Sequence, residues 1–170
     1  SKPALAGLWP NQKSMNVVLD LGANIECNED NLLDFSELGS ALFKSLYPNE
    51  QPNLSLLNIG SEEIKGTEIL KKTYKKLSEL SGDNNFVFKG YIEGNRIMDG
   101  ESNVIVTDGF TGNIALKTAE GTANFIIKEL KKSMTNSLLG KISSILNYSN
   151  LYQSKRKQKF EEYYKKDYKN

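Results

Sequence analysis

The sequence predicts an α/β fold with a mostly parallel sheet between two layers of helices, and three observations carry that reading. Short β-rich runs each close on Gly or Asn, stretches of helical periodicity alternate with them, and the runs are almost continuously apolar, as strands buried on both faces are. With 170 residues, 38% of them hydrophobic and 25% charged, the chain suits one domain, or most of a larger one, around a buried core.

The first run, Val17-Val-Leu-Asp-Leu21, leads into Gly22-Ala-Asn24. A helix is expected over 31–47, where Phe35, Leu38, Leu42 and Leu46 recur at helical spacing. Leu54-Ser-Leu-Leu-Asn-Ile59 leads into Gly60, and a second helix over 67–80 carries Leu70, Tyr74 and Leu77. Phe86-Val-Phe88 before Gly90 is a weaker strand signal, and Val104-Ile-Val-Thr107 runs into Asp108-Gly109. A long helix is expected over 114–134, with Ala119, Ala123, Ile126, Leu130 and Met134 on one face. Small residues near its start allow close packing on the sheet. Open parallel sheets bind ligands beyond the carboxyl ends of their strands, so the loops after Leu21, Ile59 and Thr107 are expected to converge on one crevice.

After about Ser137 the pattern gives way to Lys, Tyr and Ser, which divides the chain into a partial α/β domain over 1–136 and a helical extension over 137–170. Leu138, Leu139, Ile142, Ile145 and Leu146 form a short apolar face beside Lys131, Lys132 and Lys141. That face suits a second subunit or an anionic membrane, helix packing being the commoner outcome. Residues 155–170 hold seven basic against three acidic side chains, which a solvated helix explains as well as an acidic surface does. The chain opens without Met on an apolar segment and stops in a charged helix with no closing strand, so truncation at both ends is expected.

Charge excludes several classes. The 22 basic and 21 acidic residues leave a net charge of +1, so no global field favours nucleic acid, and an anion must be held locally. The single cysteine, Cys27, cannot form an internal disulfide or a clustered-thiolate metal site. The chain contains no histidine, which removes Ser-His-Asp and Cys-His machinery and imidazole-ligated metal. No apolar run reaches the roughly 20 residues of a membrane span, and the start lacks the order of a signal peptide. A reducing cytoplasm is the expected compartment.

Four constellations carry chemistry. In Asp108-Gly-Phe-Thr-Gly-Asn113 two glycines flank an aromatic-hydroxyl pair, and the turn runs into a helix whose first N–H groups can hold an anion, with Asn113 adding an amide donor. An ordinary N-capped turn is the plain alternative. Gly60-Ser-Glu-Glu-Ile-Lys-Gly-Thr67 is not a nucleotide P-loop, since Lys65 precedes Gly66 where a Walker motif has Gly before Lys. Glu62 and Glu63 would repel a triphosphate unless they turned away or held metal; what remains is a lysine just ahead of a helix. Asp20-Leu-Gly-Ala-Asn24 sets an acid and an amide around a glycine, and Glu93-Gly-Asn-Arg96 sets an acid beside a guanidinium; either can be plain turn chemistry. Without a histidine to activate it, Cys27 reads as a structural thiol.

Taken in series, Lys2-Pro-Ala-Leu-Ala6, Leu19-Asp-Leu-Gly-Ala-Asn24, Leu56-Leu-Asn-Ile-Gly60 with Glu62, Lys65-Gly66, Tyr91-Ile-Glu-Gly94, and Asp108 to Asn113 through Leu116-Lys-Thr118 and Glu120-Gly121 resemble the bacterial phosphate acyltransferase family, PlsX. The resemblance spans about Ser1 to Met134 in unbroken order. It implies an isopropylmalate-dehydrogenase-like three-layer α/β/α fold, here partial. It also implies transfer of a fatty acyl group from acyl carrier protein to inorganic phosphate, giving acyl phosphate for phospholipid synthesis. No cofactor and no metal are implied.

The resemblance carries catalytic roles to Lys65 and Asn113, and phosphate or substrate contact to Asp20, Asn24, Gly66, Asp108, Gly109, Thr111, Gly112 and Glu93. Its partners would be acyl carrier protein, a second copy of the chain, and a membrane glycerol-3-phosphate acyltransferase reached by peripheral contact with the inner face of the membrane. Nucleic acid is not among them. The family's glycine-rich N-terminal motifs and its Gly-Gly-Ala-Pro-Leu-Leu-Gly stretch do not occur in this sequence, so part of the cleft is expected to lie outside it and the fragment alone is expected to be inactive. Where the family reads Glu-Gly-Arg-Asp, this chain has Glu93-Gly-Asn95-Arg96. Two other readings stand beside this one: a short-chain phosphate acetyl- or butyryltransferase, and a non-catalytic fragment that dimerises or docks on membrane.

Overall fold

A computed structural model describes residues 3–81 and 86–135. It contains β1 (Gly7–Pro10), β2 (Met15–Leu19), α1 (Glu29–Leu46), β3 (Asn53–Asn58), α2 (Glu68–Leu80), β4 (Val87–Glu93), a 3₁₀ turn at Gly94–Arg96, β5 (Val104–Val106) and α3 (Gly109–Thr135). The strands form one sheet in the order β1-β2-β5-β3-β4, with β2, β5, β3 and β4 parallel and β1 antiparallel at the edge. In register, Leu19 and Leu56 both pair with Val106, so β2, β5 and β3 reach their carboxyl ends nearly level.

Alternation along each strand feeds two cores, which is why the runs are almost continuously apolar. Val17, Leu19, Leu54, Leu56, Val104 and Val106 face one way, against Leu32, Phe35 and Phe43 of α1 and Leu77 of α2. Val18, Leu57, Ile92 and Ile105 face the other, with Trp9, Leu21 and Ile97, and receive Ala115, Leu116 and Ala119 of α3. The sheet therefore lies between helical layers, the three-layer arrangement expected. Full burial of a side chain such as Phe35 or Phe43 contributes about 1.5–3 kcal/mol.

Four details depart from the expectations. The buried stripe of α1 is Leu32, Phe35, Ser36, Gly39, Ser40 and Phe43, whereas Leu38 and Leu46 are 49% and 45% exposed. Helix-to-sheet distance is the reason: a Cβ on Gly39 would stand 2.7 Å from Leu19 Cδ2, so small residues line the contact. The weaker strand signal at 86–88 extends as β4 to Glu93 across a register shift, with Gly90 at φ +84° against the Tyr74 ring. β1 was not expected, and α3 begins inside the Asp108 to Asn113 motif rather than after it.

The chain divides into two compact units, Ser1–Ala119 and Glu120–Asn170. In the second, Ile126 and Leu130 of the expected packing face are exposed. The apolar face over 138–146 and the basic stretch over 155–170 lie outside the described residues. Among the described residues no helix is long and apolar enough to cross a membrane.

Candidate functional site

The carboxyl ends of β2, β5 and β3 bring the singled-out loops to one edge of the sheet. Asp20 follows β2 directly. Its buried carboxylate accepts N–H groups from Leu5, Gly22 and Ala23 at 3.0 Å on Oδ1, and from the Asn24 backbone and Asn24 Nδ2 at 2.7 and 2.8 Å on Oδ2. Burial by itself raises the carboxyl's pKa, but the bonds from Ala23, the Asn24 amide, Leu5 and Gly22 outweigh it and hold Asp20 below the ordinary aspartate value. All five donors belong to 5–24, so Asp20 organises this loop as an anion. Asn24 is committed as well: Nδ2 also donates to the Pro3 carbonyl, and its own carbonyl accepts the Gly109 N–H at 2.8 Å.

The first turn of α3 presses on that loop, and its glycines permit the approach. A Cβ on Gly112 would lie 1.9 Å from the Asp20 carbonyl oxygen, and one on Gly109 2.5 Å from the Asn24 carbonyl oxygen. Asp108 caps the helix: Oδ1 accepts the Thr111 N–H and Oδ2 the Thr111 hydroxyl, both at 2.8 Å, while the Asp108 carbonyl accepts Gly112 N–H. The N–H groups of Gly109, Thr111 and Gly112 are thus bonded within the protein, as the plain N-cap alternative describes. The Asn113 side chain remains exposed, beside Gly22, whose missing Cβ would stand 3.5 Å from Asn113 Cγ. Asp20, Asn24, Asp108, Gly109, Thr111, Gly112 and Asn113 accordingly form one interlocked group.

Lys65 and Gly66 form a second group after β3, the strand next to β5. The Lys65 ammonium meets Glu62 Oε1 at 3.1 Å, and its stem lies over Gly60, where a Cβ would stand 2.7 Å from Lys65 Cδ. Glu62's own backbone N–H and the lysine lower the Glu62 pKa. Glu63 turns to α2 and accepts the Tyr74 hydroxyl at 2.9 Å. Burial, then this bond to a carboxylate, raises the Tyr74 pKa and keeps it a neutral donor. Both carboxylates that would oppose an anion therefore have partners within the protein. Gly66 sits at φ +95°, in the left-handed region that suits glycine.

Glu93 ends β4, paired in register with Asn58, while Arg96 bonds Glu101 and lies 3.8 Å from Asp99. This guanidinium is engaged with carboxylates after β4. Cys27 packs partly buried against the core with its thiol 3.6 Å from the Asn24 carbonyl. Asn58, within the Leu56-Leu-Asn-Ile-Gly60 run but not among the expected site residues, has an amide that donates to the Lys65 carbonyl at 3.1 Å. An amide at the end of a largely apolar run is the available signal. Among the described residues no cluster of three or more Cys, Asp or Glu side chains could hold a metal ion.

The model of a family described as fatty acid synthesis protein matches residues 1–167. A phosphate acyltransferase of Pelagibacter ubique is 65% identical over 156 residues, covering 92% of this chain and 46% of that protein. A second, of Parvibaculum lavamentivorans, is 44% identical over 147 residues, covering 86% and 40%. The chain spans less than half the length of these curated relatives. Among solved structures, EutD phosphotransacetylase from Staphylococcus aureus superposes with a TM-score of 0.54 at 14% identity, covering 73% of this chain and 43% of that one, a likeness of fold.

Proposed function

Because the chain belongs to the fatty acid synthesis protein family, whose curated relatives here are phosphate acyltransferases, we propose that it builds one wall of a site where an acyl group passes from a thioester to inorganic phosphate. The observation that carries this reading is the adjacency of β2, β5 and β3, which sets the exposed Asn113 amide, in the first turns of α3 after β5, and the Lys65 ammonium, on the loop after β3, at one sheet edge. Ligands of open parallel sheets bind at that edge.

A phosphate oxygen attacks the thioester carbonyl carbon, the carbonyl oxygen gains negative charge, and collapse breaks the C–S bond and releases the thiolate, which takes up the proton that hydrogen phosphate gives up. Lys65 supplies cationic charge to phosphate. Asn113 donates to phosphate or to the oxyanion, held in place by the interlock of α3 with the Asp20–Asn24 loop. An oxyanion donor of this kind contributes about 3 kcal/mol to the transition state. Asp20, saturated with donors, and Asp108, capping α3, act as positioning residues. The same reading takes acyl carrier protein as donor and places a homodimer in the cytoplasm, in peripheral contact with the membrane; family membership is its support.

The test is product formation by the protein expressed from its full coding sequence, supplied with inorganic phosphate and either long-chain acyl carrier protein or short-chain coenzyme A thioesters. Acyl phosphate trapped as a hydroxamate from the first donor is expected. Turnover of the second donor alone moves the assignment to a phosphate acetyl- or butyryltransferase. Binding to liposomes without transfer from either donor removes the catalytic reading.

A further inference from the structure

Beneath the Lys65 loop lies one buried polar side chain that this chemistry does not use. Asn58, the last residue of β3, is only 8% exposed. Its Nδ2 donates to the Lys65 carbonyl at 3.1 Å, whereas its Oδ1 is buried with no hydrogen-bond partner among the described residues. A buried acceptor left unpaired is unfavourable, and an apolar side chain here would avoid it. Turning the amide over would set its oxygen against the Lys65 carbonyl oxygen, so the Lys65 bond fixes the orientation that strands Oδ1. Gly66 completes the fit: at φ +95°, its missing Cβ would lie 2.6 Å from Asn58 Oδ1. The loop thus settles on the amide, and Lys65 leaves it with its stem over Gly60.

We propose that Asn58 is a positioning residue for Lys65. By holding the Lys65 carbonyl it sets where the ammonium stands at the sheet edge, and through that the affinity for phosphate. The inference rests on the assignment of Lys65 to phosphate made above. Asn58 touches no reacting atom; its effect is confined to the acceptor.

The discriminating readout is the KM for phosphate against the KM for the acyl donor, measured on the protein from its full coding sequence. Asn58→Leu keeps the branched outline of the side chain and removes the bond. The phosphate KM should rise about five- to tenfold, the scale of one neutral hydrogen bond, with the acyl-donor KM and melting temperature unchanged. Combined with Lys65→Ala, the substitution should add nothing to the rise that Lys65→Ala causes alone, because the group being positioned is gone. A folded Asn58→Leu with wild-type phosphate KM, or with both KM values raised together, overturns the proposal. Should Asn58→Leu not fold, Asn58→Ser, whose hydroxyl is too short to reach the Lys65 carbonyl, is held to the same outcomes. If Lys65→Ala leaves the phosphate KM unchanged, the phosphate assignment falls and the positioning role with it. If Lys65→Ala raises it and the Asn58 variants do not, the positioning role alone falls.

Discussion

Where β2 and β5 end, the Asp20–Asn24 loop and the first turn of α3 meet backbone against backbone, closed by a carboxylate with five donors and two glycines with no room for a Cβ. Where β3 ends, by contrast, the loop over 60–66 stands in solvent and is held by the Asn58 amide, the Tyr74 hydroxyl and the Glu62–Lys65 pair. Both loops sit on the same sheet edge, but the first is a fixed wall and the second a side-chain-tethered arm. A wall can aim a neutral amide such as Asn113 at one point. An arm can bring a cation to phosphate and give up Glu62 in exchange. Substitutions in the wall should therefore act on stability first, and substitutions in the arm on turnover first.

The largest effect is expected from Gly112→Ala, since its Cβ would fall 1.9 Å from a backbone oxygen that cannot swing aside. Overpacking of this kind should destabilise the protein by about 3 kcal/mol or more, read by urea denaturation. A loss below about 1 kcal/mol would mean that α3 can shift, and would remove the distinction between wall and arm.

Next comes Asp20→Asn, which sets an NH₂ group against backbone donors and should cost about 2–3 kcal/mol at neutral pH. Because the folded pKa of Asp20 is depressed, its contribution is fully present above the unfolded value of about 3.9 and is lost as the pH falls from there toward the folded value. The wild type should thus lose stability on acidification below about pH 4, and Asp20→Asn should flatten that part of the profile. A variant whose acid profile overlays that of the wild type would contradict the assignment of this carboxylate.

The smallest effect on stability is expected from Gly60→Ala. Its Cβ would meet only the movable ends of Glu62 and Lys65, each at 2.7 Å. Unfolding free energy should change by less than about 1 kcal/mol, while the displaced lysine lowers acyl transfer. Equal loss of folding and turnover would show that the loop over 60–66 is as rigid as its neighbour.

Much of this arrangement is legible in the sequence because the strands are buried on both faces and their runs are almost continuously apolar. The alternation with helices gives the layers, and Gly or Asn at each run's end marks the edge where ligands bind. What escapes has physical reasons. β1 is four residues containing Gly7 and Pro10, too short and too broken to show a period. The inner stripe of α1 is partly Ser36, Gly39 and Ser40, so hydrophobic periodicity finds Phe35 and Leu42 but takes in the exposed Leu38 and Leu46. Gly109 and Gly112 read as loop residues, although they lie in a helix and are small because another backbone touches them. Asn58 reads as one residue of the Leu54 to Ile59 strand run, since nothing in a linear sequence shows that its amide lies under Lys65 seven positions on.

The central claim, that this edge gathers Lys65 and Asn113 to handle phosphate and the developing oxyanion, is tested most directly by acyl phosphate synthesis in the protein from its full coding sequence. Lys65→Ala and Asn113→Ala should each keep the wild-type melting temperature, and each should lower the transfer rate, Asn113→Ala by about a hundredfold if it serves the oxyanion. A folded variant of either residue that synthesises acyl phosphate at the wild-type rate would contradict the account.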